Sequence, residues 1–260
     1  MKKNWRGYLA LGIVAGFLSG LCGIGGGVVM IPALLFMFKL SVHAAAATSL
    51  AVIMPTAFLG SVRNAFSAAM TPDWGAFLLI SAGAVPFAYF GAHLMHKVSQ
   101  EKLKKLLGII LLLTSIKMIF FAVNNVNNNG AVEAAVRSAG LILLGVLTGF
   151  LSGMLGIGGG VVMVPIMLYI FNMEAHSVTA TSLAVMIPAS ISGTVKNFKN
   201  GHTNWHTTLI IATGSLGGVL LGASTAERVD QINLQRIMGI LFIFISMQMI
   251  FKKVKKPKLD

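Results

Sequence analysis

Long apolar runs separated by short charged or polar gaps follow one another along the whole chain. In the first half they cover residues 8–21, 24–38, 43–66, 74–95 and 102–122. The last three hold 20 residues or more, enough for each to cross ~30 Å of hydrocarbon. The first two do not: fourteen or fifteen residues at ~1.5 Å each reach only ~21–23 Å. Between them residues 23–27 are rich in glycine, which costs a helix about 1 kcal/mol relative to alanine. The pattern predicts half-helices meeting near mid-membrane, or two short tilted spans.

The same pattern is written twice. Residues 16–32 read GFLSGLCGIGGGVVMIP and residues 149–165 read GFLSGMLGIGGGVVMVP, with 14 of 17 positions identical at a spacing of 133. That spacing also aligns ATSLAVIMP (47–55) with ATSLAVMIP (180–188), His43 with His176, Arg63 with Lys196 and Asn64 with Asn197. A spacing of 131 then pairs Trp74 with Trp205, Gly83 with Gly214 and Gly91 with Gly222. A repeat of this length defines the architecture before any other signal does. It divides the chain into a first transmembrane repeat (1–123), a polar, Asn-rich linker (124–137) and a second repeat with a basic tail (138–260).

Composition places both repeats in a bilayer. Only 10% of residues are charged and 56% are hydrophobic, against about 25% charged in a soluble chain. The net charge of +13 does not point to nucleic acid, because the basic residues occupy the chain ends and the gaps between apolar runs. With both termini on the cytoplasmic side and the second repeat inverted, 15 of the 20 basic residues lie inside. Parallel repeats would put the basic cluster at 97–105 outside, against the positive-inside rule. The expected fold is therefore all-α: a multi-pass inner-membrane protein of two inverted-topology repeats, a recurrent plan of secondary transporters. Each repeat carries a Gly-broken pair of short helices and about three full spans. The first apolar run reads as mature protein and not as a signal peptide, lacking a small-residue cleavage signature. A single cysteine, Cys22, whose counterpart is Leu155, excludes an internal disulfide and a multi-cysteine metal site.

The chemistry available inside the membrane suits an anion. All seven carboxylates fall in gaps, at run ends or at the terminus, so the carboxylates that mark proton relays and cation paths are missing from the apolar runs. A helix that starts within the membrane directs free N–H groups and the positive end of its dipole at whatever precedes it. Gly23, Gly25, Gly26 and Gly27, with Gly156, Gly158, Gly159 and Gly160, would open such helices and line a substrate site; tight helix packing is the competing role. Thr48, Ser49, Thr181 and Ser182 could donate to the same anion, or bond back to their own helices. Arg63 with Asn64, and Lys196 with Asn197, read as electropositive mouths or as snorkelling anchors. His43 and His176 start equivalent helices, and Trp74 and Trp205 fit an interfacial belt. No metal site and no cofactor is expected.

The motif GFLSGxxGIGGGVVMxP followed by ATSLAVxxP, present in both halves, resembles the TauE/SafE family, also called the sulfite exporter or 4-toluene sulfonate uptake permease family. The resemblance implies an inner-membrane transporter of sulfur-containing anions such as sulfite, sulfonates or sulfoacetate. Its motif carries over onto the eight glycines named above and onto Pro32 and Pro165. The expected activity is secondary transport of a small anion by alternating exposure of a site between the halves, with the substrate and the lipid bilayer as partners and a homo-oligomer allowed. A passive anion channel and a membrane-embedded enzyme are the alternatives.

Overall fold

The computed structural model describes residues 5–94, 131–199 and 204–251, with 108–109, 112–113, 115–116 and 119. Outside the described residues lie most of the expected span 102–122, the basic cluster at 97–105, the asparagine run 124–130, and the lysines of both chain ends. Among the described residues the fold is wholly helical. The first repeat contributes α1 (Trp5–Cys22), α2 (Gly27–Phe36), α3 (Val42–Ala65) and α4 (Trp74–Leu94); the second contributes α5 (Ala131–Leu155), α6 (Gly160–Tyr169), α7 (Ala175–Lys199), α8 (Trp205–Arg228) and α9 (Gln231–Phe251). Seven of these are long and apolar enough to cross a membrane, whereas α2 and α6, with 10 residues each, reach only ~15 Å. The chain is a multi-pass membrane protein.

The glycine-broken pair is less even than its sequence predicts. Helix α1 extends in both directions beyond the apolar run and meets the length of a full span, and α5 begins at Ala131, within the stretch read as linker. Only the second member of each pair is a half-helix. Gly26, the residue before α2, has φ +67° and lies level with the middle of α1: a Cβ there would stand 2.6 Å from Ala15 O. From that depth α2 runs back along α1 until Phe38 stacks on Tyr8 with ring centroids 4.1 Å apart. The second repeat does the same, with Gly159 (φ +77°) beside Thr148 O and Phe171 beside Gly140. Thus α1 goes out, and the glycine break plus a half-helix bring the chain back.

Equivalent caps start the next helices. Ser41 accepts from Ala44 N at the head of α3, while Asp73 and Asn204 accept from Ala76 N and Thr207 N at the heads of α4 and α8. The long helices then pair across the repeats. Gly12, Gly16 and Gly20 of α1 meet the backbone of α8 at Ile211, Ser215 and Val219, and Gly145, Gly149 and Gly153 of α5 meet α4 at Ile80, Ala84 and Ala88. Glycines every fourth residue let two backbones touch, a common seam between membrane helices. The rising numbers on both sides show that α1 and α8 run parallel, as do α5 and α4.

Between these two seams α3 and α7 form the centre, with 72% of the apolar stretch of each buried against 39% of that of α1. They cross antiparallel, since Gly60 faces Leu183 while Gly193 faces Leu50. Helix α3 runs parallel to α8, through contacts of Thr56 with Ser215 and of Gly60 with Val219; α7 runs parallel to α4, through Thr181 with Asp73 and Ser192 with Val85. Outward, side chains such as Leu78, Phe90, Leu143, Leu209, Leu221 and Phe244 are exposed, as a lipid-facing surface requires.

Candidate functional site

The two glycine breaks meet at the centre of the bundle. The Cβ position of Gly27 falls 2.8 Å from Gly156 O, and that of Gly160 falls 2.6 Å from Gly23 O. A side chain at either place would collide with the opposite break, so the sequence GIGGG is what allows the two loops to lie against each other. The first-turn amides of α2 and α6, and the positive ends of both helices, are thereby held at mid-depth. These glycines pack the two breaks against each other and so bring two helix starts together.

The space beside them is filled. Ile53 of α3 and Met186 of α7, equivalent residues at a spacing of 133, are wholly buried between the breaks. Ile53 Cδ1 lies 3.0 Å and Met186 Sδ 3.5 Å from the Cβ position of Gly158, and the same Met186 Sδ lies 2.6 Å from that of Gly25. An apolar pair therefore closes the midpoint.

The four predicted hydroxyls are all buried but are not alike. Ser182 Oγ donates to Gly23 O, and Thr181 Oγ1 accepts from Asp73 N at 2.9 Å. Thr48 Oγ1 and Ser49 Oγ have no hydrogen-bond partner among the described residues. Two hydroxyls escaped the sequence reading. Ser19 and Ser152 sit one turn before the breaks, where their carbonyls accept from Gly23 N and Gly156 N at 2.8 Å, and their own side chains are buried and unpartnered among the described residues. Their recurrence as the serine of GFLSG in both halves was the available signal.

Arg63 is not a lone charge: it pairs with Glu227, whose other oxygen accepts from Ser67 Oγ at 2.6 Å. Lys196 lies 5.3 Å over the ring of Tyr89. Asn64 and Asn197 are wholly buried, and both side-chain atoms of each lack a partner among the described residues. They belong to the interior of the bundle, one residue from the cations with which the sequence groups them. His176 Nε2 is 3.1 Å from Ala226 O and Val229 O at the end of α8; Trp74 and Trp205 are half-exposed at the starts of α4 and α8.

The wholly buried polar side chains among the described residues are hydroxyls and amides. Such groups offer uncharged donors to an anion without holding it as tightly as a buried cation would.

Comparison with known proteins gives a consistent picture. A family model described as sulfite exporter TauE/SafE matches residues 8–249. The chain is 28% identical to the probable membrane transporter protein YunE of Bacillus subtilis, over 95% of this chain and 97% of that one. It is 30% identical to a probable membrane transporter protein of Methanocaldococcus jannaschii, over 91% and 93% of the two chains. A third relative, YjnA of Bacillus subtilis, is 26% identical over 93% and 98%. No solved structure matches.

Proposed function

The chain belongs to the TauE/SafE family and is a membrane transporter, and from that premise we propose that it moves a small sulfur-containing anion, of sulfite, sulfonate or sulfoacetate type, across the inner membrane by alternating access. The observation that carries this reading is the meeting of two half-helix starts at mid-depth, one from each repeat, in surroundings of hydroxyl and amide side chains. Helix N-termini and neutral donors can replace part of an oxyanion's hydration. The family description supplies the sulfur chemistry.

The repeats are inverted across the bilayer in this proposal, with both termini cytoplasmic. Helix directions support it: α1 is parallel to α8 and α3, α5 is parallel to α4 and α7, and the two groups run oppositely because α3 crosses α7 antiparallel. Ile53 and Met186 favour alternating access over a passive channel, since a channel needs a continuous polar path and these two side chains close it.

Purified protein reconstituted in liposomes tests the proposal. Uptake of radiolabelled sulfite or a sulfonate should saturate, and unlabelled anion on the far side should accelerate it. Flux that rises linearly with concentration would establish a channel, and flux of carboxylates but of no sulfur anion would refute the substrate class.

A further inference from the structure

The two halves of the centre are related by sequence, but the serine of ATSLAV is bonded to the opposite break in only one of them. Near the first break, α1 (19–23), the end of α3 (60–64) and the start of α7 (179–183) converge: the Cβ position of Gly23 is 2.9 Å from Thr179 Cα, and that of Gly60 is 3.2 Å from Leu183 Cδ1. Near the second break the counterparts converge. The Cβ position of Gly156 is 2.5 Å from Ala46 Cα, and that of Gly193 is 3.1 Å from Leu50 Cδ1 and 3.9 Å from Gly153 Cα. In the first cluster Ser182 Oγ is spent on Gly23 O. In the second, its counterpart Ser49 has no hydrogen-bond partner among the described residues, and neither do the side chains of Ser152 and Asn197.

Helix geometry separates Ser49 from Thr48. At about 100° per residue, Ala46, Ser49, Leu50 and Ile53 share one face of α3, and that face is the one touched by Gly156, Gly193 and Gly158. Thr48 lies about 200° around from Ala46. Its counterpart Thr181 correspondingly turns to the head of α4. Asn197 is one turn beyond Gly193 on α7, and Ser152 is one residue from Gly153 and one turn before Gly156. All three side chains are at least 99% buried, where an unsatisfied donor is costly unless a ligand satisfies it.

We propose that Ser49, Ser152 and Asn197 form an oxyanion site beside the Gly156 break, off the midpoint, and that Ser19, Ser182 and Asn64 form its alternate station, closed here by the bond from Ser182 to Gly23. The site takes a small sulfur oxyanion through neutral O–H and N–H donors. Transfer between stations passes Ile53 and Met186 and exchanges which serine is bonded to its glycine carbonyl. This deepens the transport reading above and rests on it for the substrate.

Binding to the purified full-length protein decides the matter, with sulfite, methanesulfonate, phosphate and acetate as separate probes and thermal stabilisation as the readout. Ser49→Ala and Asn197→Ala should each weaken binding of the sulfur anions at least tenfold. Ser49→Thr, which keeps the donor, should bind within a few-fold of the parent, and Thr48→Val should be unchanged. If Ser49→Ala does not yield folded protein, Ser152→Ala carries the same expectation. Undiminished sulfite binding in folded Ser49→Ala or Ser152→Ala overturns the site while leaving the sulfur-anion transporter intact. Loss confined to phosphate or acetate, with no sulfur anion bound by the parent, keeps the site and overturns the substrate class. Absence of binding by every probe overturns both.

Discussion

Two adjacent glycines of α8 should respond to alanine with opposite signs. Gly218 faces α1: its Cβ position is 2.8 Å from Phe17 N and closer still to Ile13 O. Gly217 faces outward, with nothing within 4 Å. At Gly218 the new methyl must push two backbones apart by about 1 Å, and overpacking of this kind costs about 1–3 kcal/mol. The loss extends along the seam, because Gly12, Gly16, Gly214 and Gly222 depend on the same approach. At Gly217 the substitution meets no atom and gains up to about 1 kcal/mol of helix propensity. At about 2–4 °C per kcal/mol for a chain of this size, Gly218→Ala should lower the unfolding temperature in detergent by roughly 2–12 °C, while Gly217→Ala should leave it unchanged or raise it. Tryptophan fluorescence on heating measures both. Equal shifts in the two variants would refute the seam as a backbone-on-backbone contact.

Other substitutions probe other parts of the fold. Glu227→Gln should lower the unfolding temperature by leaving Arg63 without its counter-ion, and Arg63→Gln added to it should restore part of the loss in the same melt. Ile53→Ala combined with Met186→Ala should open the midpoint, so that anion flux in liposomes no longer saturates; unchanged saturation would show that the barrier lies elsewhere. Cysteines at Leu50 and Gly193, joined by a short bifunctional thiol reagent, should stop transport by tying α3 to α7, with recovery on reduction. A reporter fused after Asn127 should be extracytoplasmic and one after Lys104 cytoplasmic; a cytoplasmic Asn127 reporter would overturn the inverted repeat.

Much of this fold could be read from periodicity and repetition, because a bilayer imposes length and apolarity on every span. The glycine break was legible for the same reason: a run too short to cross, interrupted by GIGGG, has few structural solutions. The first helix of each repeat was read too short, since residues near Trp5 and Ala131 continue the helix where the apolar run has ended. Pairing was not legible. Gly83 and Gly214, or Gly91 and Gly222, can be matched between repeats, yet nothing in their spacing says that α4 meets α5 and α8 meets α1. Nor could ATSLAV, identical in both repeats, disclose that Ser182 is bonded and Ser49 is not. That difference arises from how each copy meets the other break, a tertiary property that equal sequences do not encode.

The pairing bears on which parts could move in a transport cycle. Division by sequence would separate residues 1–123 from 138–260, but that cut runs through both glycine seams, where backbones touch at every fourth residue. Sliding there would expose or collide a whole row of carbonyls, and packed seams of this kind do not deform continuously. The helix directions instead group α1 and α3 with α8, and α5 and α7 with α4, each group drawn from both repeats. Between the groups α3 meets α7 through leucine side chains resting on Gly60 and Gly193, a surface that can re-form after a small shift. Ser49, Asn197, Ser182 and Asn64 all lie on those two helices. A rocking motion at this interface would therefore change the distance of each serine from the opposite break, and could make the bond of Ser49 to Gly156 as it breaks that of Ser182 to Gly23. The same two helices carry Ile53 and Met186, so in the proposed cycle a shift that closes one station would also move the side chains that block the path to the other.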